Sequence, residues 1–330
     1  MLINQKTLLK FLEAVRPART AGEEAHVATI IKLAEKLGYE PYQDAHGNIV
    51  VDNLGSSSAQ SRVMFTSHTD SIHRSATHTT QKLKRDGDIV TIDLAKTPES
   101  TCLGADDATG NYILLRLLQA GVKGVYVFFR DEEIGGLGSS YFATNPMVKP
   151  LIEQLTHCIS FDRMGYDSII THQSCGRCAS DMFADELGKR IKEADPTGTL
   201  GLSADPTGSF TDSANFADLI SECSNISVGY FKQHTVKESQ DIGFVEKLTT
   251  ALEKIDWETL PAHRDPREID YGSLYGSLYD DGYGYVDTPS AVEALEEEID
   301  NIYRYGSTYA TDLTINQPEL AAALLVYLAR

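Results

Sequence analysis

A chain of 330 residues, 42% of them apolar and 23% charged, can form one large domain or two ordinary ones around a substantial core. Its formal net charge of −19 disfavours nucleic acid as a partner, because phosphate binding needs clustered Lys and Arg. No window approaches a membrane span, and residues 1–18 lack the unbroken apolar run of a signal peptide.

Along the chain, apolar periodicity alternates between helix and strand for about 260 residues. An amphipathic helical pattern lies within residues 1–18, interrupted by Gln5, Lys6, Lys10 and Glu13. Val27, Ile30, Ile31, Ala34 and Leu37 recur at helical spacing, with Gly38 where a C-terminal cap belongs. Residues 48–52 and 62–67 read as strands, 111–121 as a buried helix ending at glycine, and 124–129 as the next strand. Short apolar runs at 157–162 and 225–231 predict further strands, with helices over 179–194 and 213–220 between them. This order predicts an α/β fold: a mixed, mostly parallel central sheet with helices on both faces.

After Pro261 the texture changes. Residues 270–287, "DYGSLYGSLYDDGYGYVD", are rich in Tyr, Gly and Asp, and helical patterns follow at 289–303 and 316–330. The expected organisation is a main α/β domain over 1–260 and an appendage over 261–330. The leucines of its last helix (Leu320, Leu324, Leu325 and Leu328) call for a packing partner, expected within the same chain.

Five cysteines, an odd number without a secretion signal, argue for a reducing, cytoplasmic compartment. Cys175 and Cys178 form a CxxC near His172, but nothing completes the four ligands of a structural zinc, so they read as ordinary thiols.

The residues that carry chemistry gather at the ends of these elements. The strand "RVMFTS" runs into His68, Thr69 and Asp70, and the i, i+2 spacing puts His68 and Asp70 on one side. Asp106 and Asp107 stand just before a buried helix, where one can cap the helix while the other faces a site. The strand ending at Phe129 leads into Asp131, Glu132 and Glu133, and Asp162 and His234 close two later apolar runs. Adjacent carboxylates at the mouth of a core strand repel each other unless water or a cation lies between them. In open α/β sheets the carboxyl ends of the strands gather on one edge, where ligands bind. Two histidines with several carboxylates suit zinc or a similar cation, and the number of acids points to two cations sharing a bridging carboxylate.

The series "SHTD", "GADDATG", "DEEIGGLGS", "FD" and "HTVKE" resembles the co-catalytic dizinc peptidase superfamily (clan MH), which includes bacterial leucyl aminopeptidases, peptidase T and the glutamate carboxypeptidase type. Matching elements run from about residue 7 to 255. The resemblance implies that Asp106 bridges two divalent cations, zinc first and cobalt or manganese as alternatives. It implies further that His68 and Asp162 complete one site, and Glu133 and His234 the other. Glu132 matches the general base that acts on the two-metal-activated water, and Asp70 the partner that orients His68. A cis peptide after Asp106 is expected on the same ground. Thr211 and Asp212 fall near the site or cap the following helix.

In peptidase T and the carboxypeptidases a lid domain is inserted between the elements matching Asp162 and His234. Here 71 residues separate them, enough only to finish the sheet. The resemblance is therefore to the lidless aminopeptidases, acting on short peptides. A deacylase or amidohydrolase on N-acyl amino acids, or a non-catalytic relative serving as an interaction module, are the alternatives.

Overall fold

The computed structural model describes residues 2–55, 59, 62–74, 78–174 and 176–267. The expectations for the tail, and Cys175 of the CxxC, lie outside those residues. Met1–Arg267 forms one compact unit.

The main sheet has eight strands in the spatial order Tyr42–Gln43, Ile49–Asp52, Val125–Phe129, Val63–His68, His157–Arg163, Glu222–Ser227, Ser168–Ile170, Ser203–Asp205. The central four, from Val125–Phe129 to Glu222–Ser227, run parallel, and antiparallel partners flank them on each side. The mixed, mostly parallel α/β sheet predicted from the alternation is the observed one.

Strand pleating sends successive side chains to opposite faces. Val63, Phe65, Tyr126, Phe128, Ile159 and Phe161 join one buried cluster, with the helices Gln5–Leu12, Ala21–Lys36, Ala105–Ala120, Asp181–Ala194 and Ile242–Leu252. Met64, Val125, Val127, Phe129 and Cys158 join the other, against Phe142, Ile152 and Phe216. Because both faces are covered, the central strands are buried along nearly their whole length rather than alternating. Each fully buried Phe or Leu contributes about 1.5–3 kcal/mol relative to exposure, so the strand ends that carry the polar groups sit on a rigid platform.

Local signals explain most helix boundaries. Thr20 accepts the Glu23 N–H at the start of Ala21–Lys36, and Gly38 takes φ 92° just beyond its end. Three expectations need correction. The predicted 111–121 helix starts at Ala105, with Asp106 and Asp107 in non-helical conformation inside it. The predicted 213–220 helix is only a 3-10 segment, Asp212–Phe216. The 225–231 run is two strands, Glu222–Ser227 and Tyr230–Phe231, parted at Gly229 with φ 82°.

The second of those strands belongs to a separate four-stranded antiparallel sheet with Ser239–Asp241, Ile89–Ile92 and Leu83–Asp86. The sequence signal was present in "RDGDIVTI", where Gly87-Asp88 makes the two-residue turn of a hairpin and Gly87, its first residue, has φ 58°. This small sheet brings residues 232–238 to the end of the parallel strands. Among the described residues no helix is long and apolar enough to cross a membrane.

Candidate metal centre

His68 ends the strand Val63–His68, Asp162 lies near the end of His157–Arg163, and Glu132 and Glu133 follow Val125–Phe129. These four residues come from the carboxyl ends of three parallel strands, as expected. Asp106 and His234 do not: Asp106 opens the helix Ala105–Ala120, and His234 sits in the hairpin between Tyr230–Phe231 and Ser239–Asp241. Five sources nevertheless converge.

They form two groups of three that share Asp106. His68, Asp106 and Asp162 make one, and Asp106, Glu133 and His234 the other, with potential ligand atoms in each group within 4.8 Å of one another. Asp106 divides its oxygens between them: Oδ1 lies 2.9 Å from His68 Nε2, and Oδ2 lies 3.2 Å from His234 Nε2. Asp162 Oδ1 is 3.7 Å from His68 Nε2, and Glu133 Oε2 is 3.3 Å from His234 Nε2. The Asp106–Asp107 peptide is cis, as the resemblance implies. Asp107 takes the capping role: Oδ1 accepts the Gly110 N–H and Oδ2 the His68 N–H.

Asp70 does more than face His68. Its Oδ1 is 3.4 Å from His68 Nδ1, without the alignment of a hydrogen bond, while its two oxygens accept the N–H groups of Glu132 and Glu133 at 3.1 Å each. One carboxylate thus sets both the imidazole and the glutamate turn. Asp131, the first acid of that turn, instead pairs with Arg19 and His46. Thr211 Oγ1 donates to Asp162 Oδ2 at 2.8 Å and the Tyr230 hydroxyl to Oδ1 at 3.1 Å. Asp212, also expected near the site, is buried, and burial pushes its carboxyl up to about 7.

The electrostatics describe a place for cations. Burial works against a charged His68, but Asp106, Asp162 and Asp70 outweigh it and raise its pKa well above the histidine range. Hydrogen bonds to Asp106 and Glu133 raise His234 to about 11. Burial pushes Glu132 up to about 10, with Asp162, Asp212 and Asp106 adding repulsion. Protons are held where Nε2 meets shared carboxylates, which is where divalent ions would sit. Glu133 Oε1 is buried without a hydrogen-bond partner, a costly condition that a cation would relieve. The donor set therefore fits two divalent ions of zinc type.

These shifts carry a sign. His234 has a folded pKa above its unfolded value, so its stabilisation is complete below about 6.5 and is lost as pH rises toward 11. For Glu132 and Asp212, raised carboxyl values mean a penalty absent near pH 4 that grows as pH rises through the folded values. All three act in one direction. Chelator-treated protein is expected to lose melting temperature steadily from pH 6 to 9, and zinc-loaded protein to lose much less. Melting curves across that range check it; a flat or rising profile for the stripped protein contradicts it.

Two buried residues beneath the site were not anticipated. Glu238 accepts four consecutive backbone N–H groups: Leu103 and Gly104 at Oε2 (2.7 and 3.0 Å), and Ala105 and Asp106 at Oε1 (2.8 and 3.3 Å). It satisfies the open donors of the helix start and fixes the backbone of Asp106, the residue common to both groups. Arg16, fully buried, donates to the Thr69, Phe11 and Gly104 carbonyls at 3.0 Å each, tying the His68–Asp70 segment to the loop before Asp106. Glu238→Gln is expected to weaken zinc binding about 10- to 100-fold, as loss of a partner behind a ligand does elsewhere. Calorimetric zinc titration of chelator-treated protein measures it, and an unchanged affinity contradicts the role.

Comparison with known proteins now decides the family. The model of peptidase family M28 matches residues 48–233, more than half of the chain and all of the centre except His234. The chain belongs to peptidase family M28. No curated protein matches it in sequence. Among solved structures, this M28 chain is similar to the aminopeptidase PepT of Bacillus cereus, with a TM-score of 0.58 at 14% identity over 78% of this chain and 99% of that one. It is similar also to a tripeptidase of Staphylococcus aureus (0.57, 15%, 77% and 98%) and to the TET1 peptidase of Pyrococcus horikoshii (0.53, 17%, 77% and 98%). At such identities these likenesses show the fold of the M28 domain. The interval between Asp162 and His234 holds small strands, the helix Asp181–Ala194 and the 3-10 segment, and among the described residues no inserted lid.

Proposed function

We propose that this M28 chain is a lidless, metal-dependent aminopeptidase that releases N-terminal residues from short peptides. The observation that carries the reading is the division of Asp106 between two three-ligand groups, Oδ1 toward His68 and Oδ2 toward His234. His68 and Asp162 would hold one divalent cation with Asp106, and Glu133 and His234 the other, zinc being the best fit to imidazole and carboxylate donors. Bound there, the two ions would polarise the scissile carbonyl and make water acidic enough to be deprotonated near neutrality.

The chain's own groups do the rest. Glu132 lines the same cleft as Asp106 and Asp162, and is assigned to neither ligand group. It is placed to accept the proton of the attacking water and pass it to the leaving amine. Asp70 holds the Glu132 N–H, so the base is aimed by the same carboxylate that faces His68. Burial of Glu132 supplies the high proton affinity an acid needs in the second half of the reaction, and cations bound beside it would lower that affinity for the first half. A cleft without a lid admits a peptide whose far end projects into water, which suits removal of residues from a free amino end.

A panel of amino-acid p-nitroanilides, free dipeptides and N-acyl amino acids, assayed with added zinc, cobalt or manganese, tests the reading. Hydrolysis of the free-amine substrates is expected. Turnover confined to the N-acyl amino acids would make the chain a deacylase. None on any substrate, with metal bound, would leave an interaction module.

A further inference from the structure

We propose that Arg163 recognises a carboxylate on the substrate, making peptides with an acidic group close to the scissile bond the preferred class. The inference rests on the aminopeptidase reading and gives it a substrate. Arg163 directly follows Asp162, and its side chain lines the same cleft as Asp106, Glu132 and His234. No other Arg or Lys lines that cleft among the described residues.

The guanidinium is under-used. Among the described residues only Nη2 finds acceptors, the Thr207 carbonyl and hydroxyl at 3.2 Å each. Nε is buried with no hydrogen-bond partner among the described residues, although an arginine fork offers five donors and leaving a charged one unpaired is costly. The nearest acid, Asp205, stands 3.8 Å away and is committed elsewhere, accepting from Ser168 Oγ, Thr207 N–H and Thr207 Oγ1. The arginine side chain is 20% exposed, so a bound anion would meet it with little competing water.

Three of the neutral polar groups in the cleft are spoken for. Asn225 grips the Asp162 backbone through both amide atoms, and the Tyr230 hydroxyl turns to Asp162. Gln173 binds Thr211 and Ser213. Beside Ser209 and Gln233, what remains for a ligand is a planar cation, with Met164 and Phe210 in the same lining, about 40% exposed each, offering apolar walls to a short methylene chain. Arginine pairs best with a carboxylate, which matches its fork with two parallel hydrogen bonds. That carboxylate can belong to an Asp or Glu side chain at the amino end, or to the free carboxyl terminus of a dipeptide.

Zinc-loaded wild type, Arg163→Met and Arg163→Lys, each checked for metal content and fold, are compared on two matched pairs. Glutamyl against glutaminyl p-nitroanilide isolates the side chain, and Leu-Ala against Leu-Ala amide isolates the terminus. Wild type is expected to favour the carboxylate member of one pair by about 10- to 100-fold in kcat/KM. Arg163→Met should collapse that ratio toward one, and Arg163→Lys should restore part of it. Calorimetric binding of glutarate, present in wild type and lost in Arg163→Met, decides the point even if no peptide is cleaved, an outcome that would remove the aminopeptidase reading alone. No preference in either pair together with no glutarate binding, or a ratio unchanged in Arg163→Met, overturns the proposal.

Discussion

Glu132→Gln is expected to lower kcat by about 10²- to 10⁴-fold while both cations stay bound. The amide keeps the size of the side chain, and the Glu132 N–H that Asp70 accepts is a backbone group the substitution does not touch. Neither ligand group includes Glu132, so the set that would hold the ions remains whole. What disappears is a basic oxygen in the cleft beside Asp106 and Asp162. KM should change little by comparison, because the lost interaction acts on a proton in flight rather than on the bound peptide. Elemental analysis and steady-state kinetics on the same preparation separate the two effects. Loss of metal in proportion to loss of rate would show that Glu132 is a ligand and that the division of roles between Glu132 and Glu133 is wrong.

The second large effect concerns the shared ligand. Asp106→Ala removes one donor from each group of three, leaving His68 with Asp162, and Glu133 with His234. It also leaves the buried His68 imidazole and the partly exposed His234 imidazole without the carboxylate that each faces at 2.9 and 3.2 Å. Both cations should be lost on dialysis, and activity with them, an effect beyond the roughly 10- to 100-fold of a partner behind a ligand. Glu133→Ala should lose one cation only. A stripped Asp106→Ala protein that still binds two equivalents of zinc tightly would mean that Asp106 does not join the sites.

Much of this was legible in the residues because it rests on local chemistry. The apolar strands at 62–67, 124–129 and 157–162 announce a sheet covered on both faces, and acids at their ends need a reason to be there. The doubled aspartate was readable too, since one residue caps a helix and two exceed that need: Asp107 takes the Gly110 N–H and Asp106 turns outward.

What stayed hidden depends on long-range packing. Glu238 stands four residues after His234 and looks like a surface acid, yet it is buried under a helix start more than 130 residues away in sequence. Nothing in the periodicity around Arg16 says that its guanidinium will meet the Thr69 and Gly104 carbonyls. The small antiparallel sheet was missed for another reason: Leu83–Asp86 and Ile89–Ile92 are only four residues each and the first is mostly exposed, so only the Gly-Asp turn between them betrays them. That sheet carries His234, which explains why a histidine outside the parallel strands reaches the centre.

The most direct test is a zinc titration of chelator-treated protein, following hydrolysis of an unblocked leucyl peptide and of its N-acetyl counterpart. Activity on the unblocked peptide should climb to its plateau at two equivalents of zinc per chain, with none on the acetylated one. A plateau at one equivalent, cleavage of the acetylated peptide at a comparable rate, or no turnover at any zinc level would contradict a two-cation aminopeptidase built on Asp106.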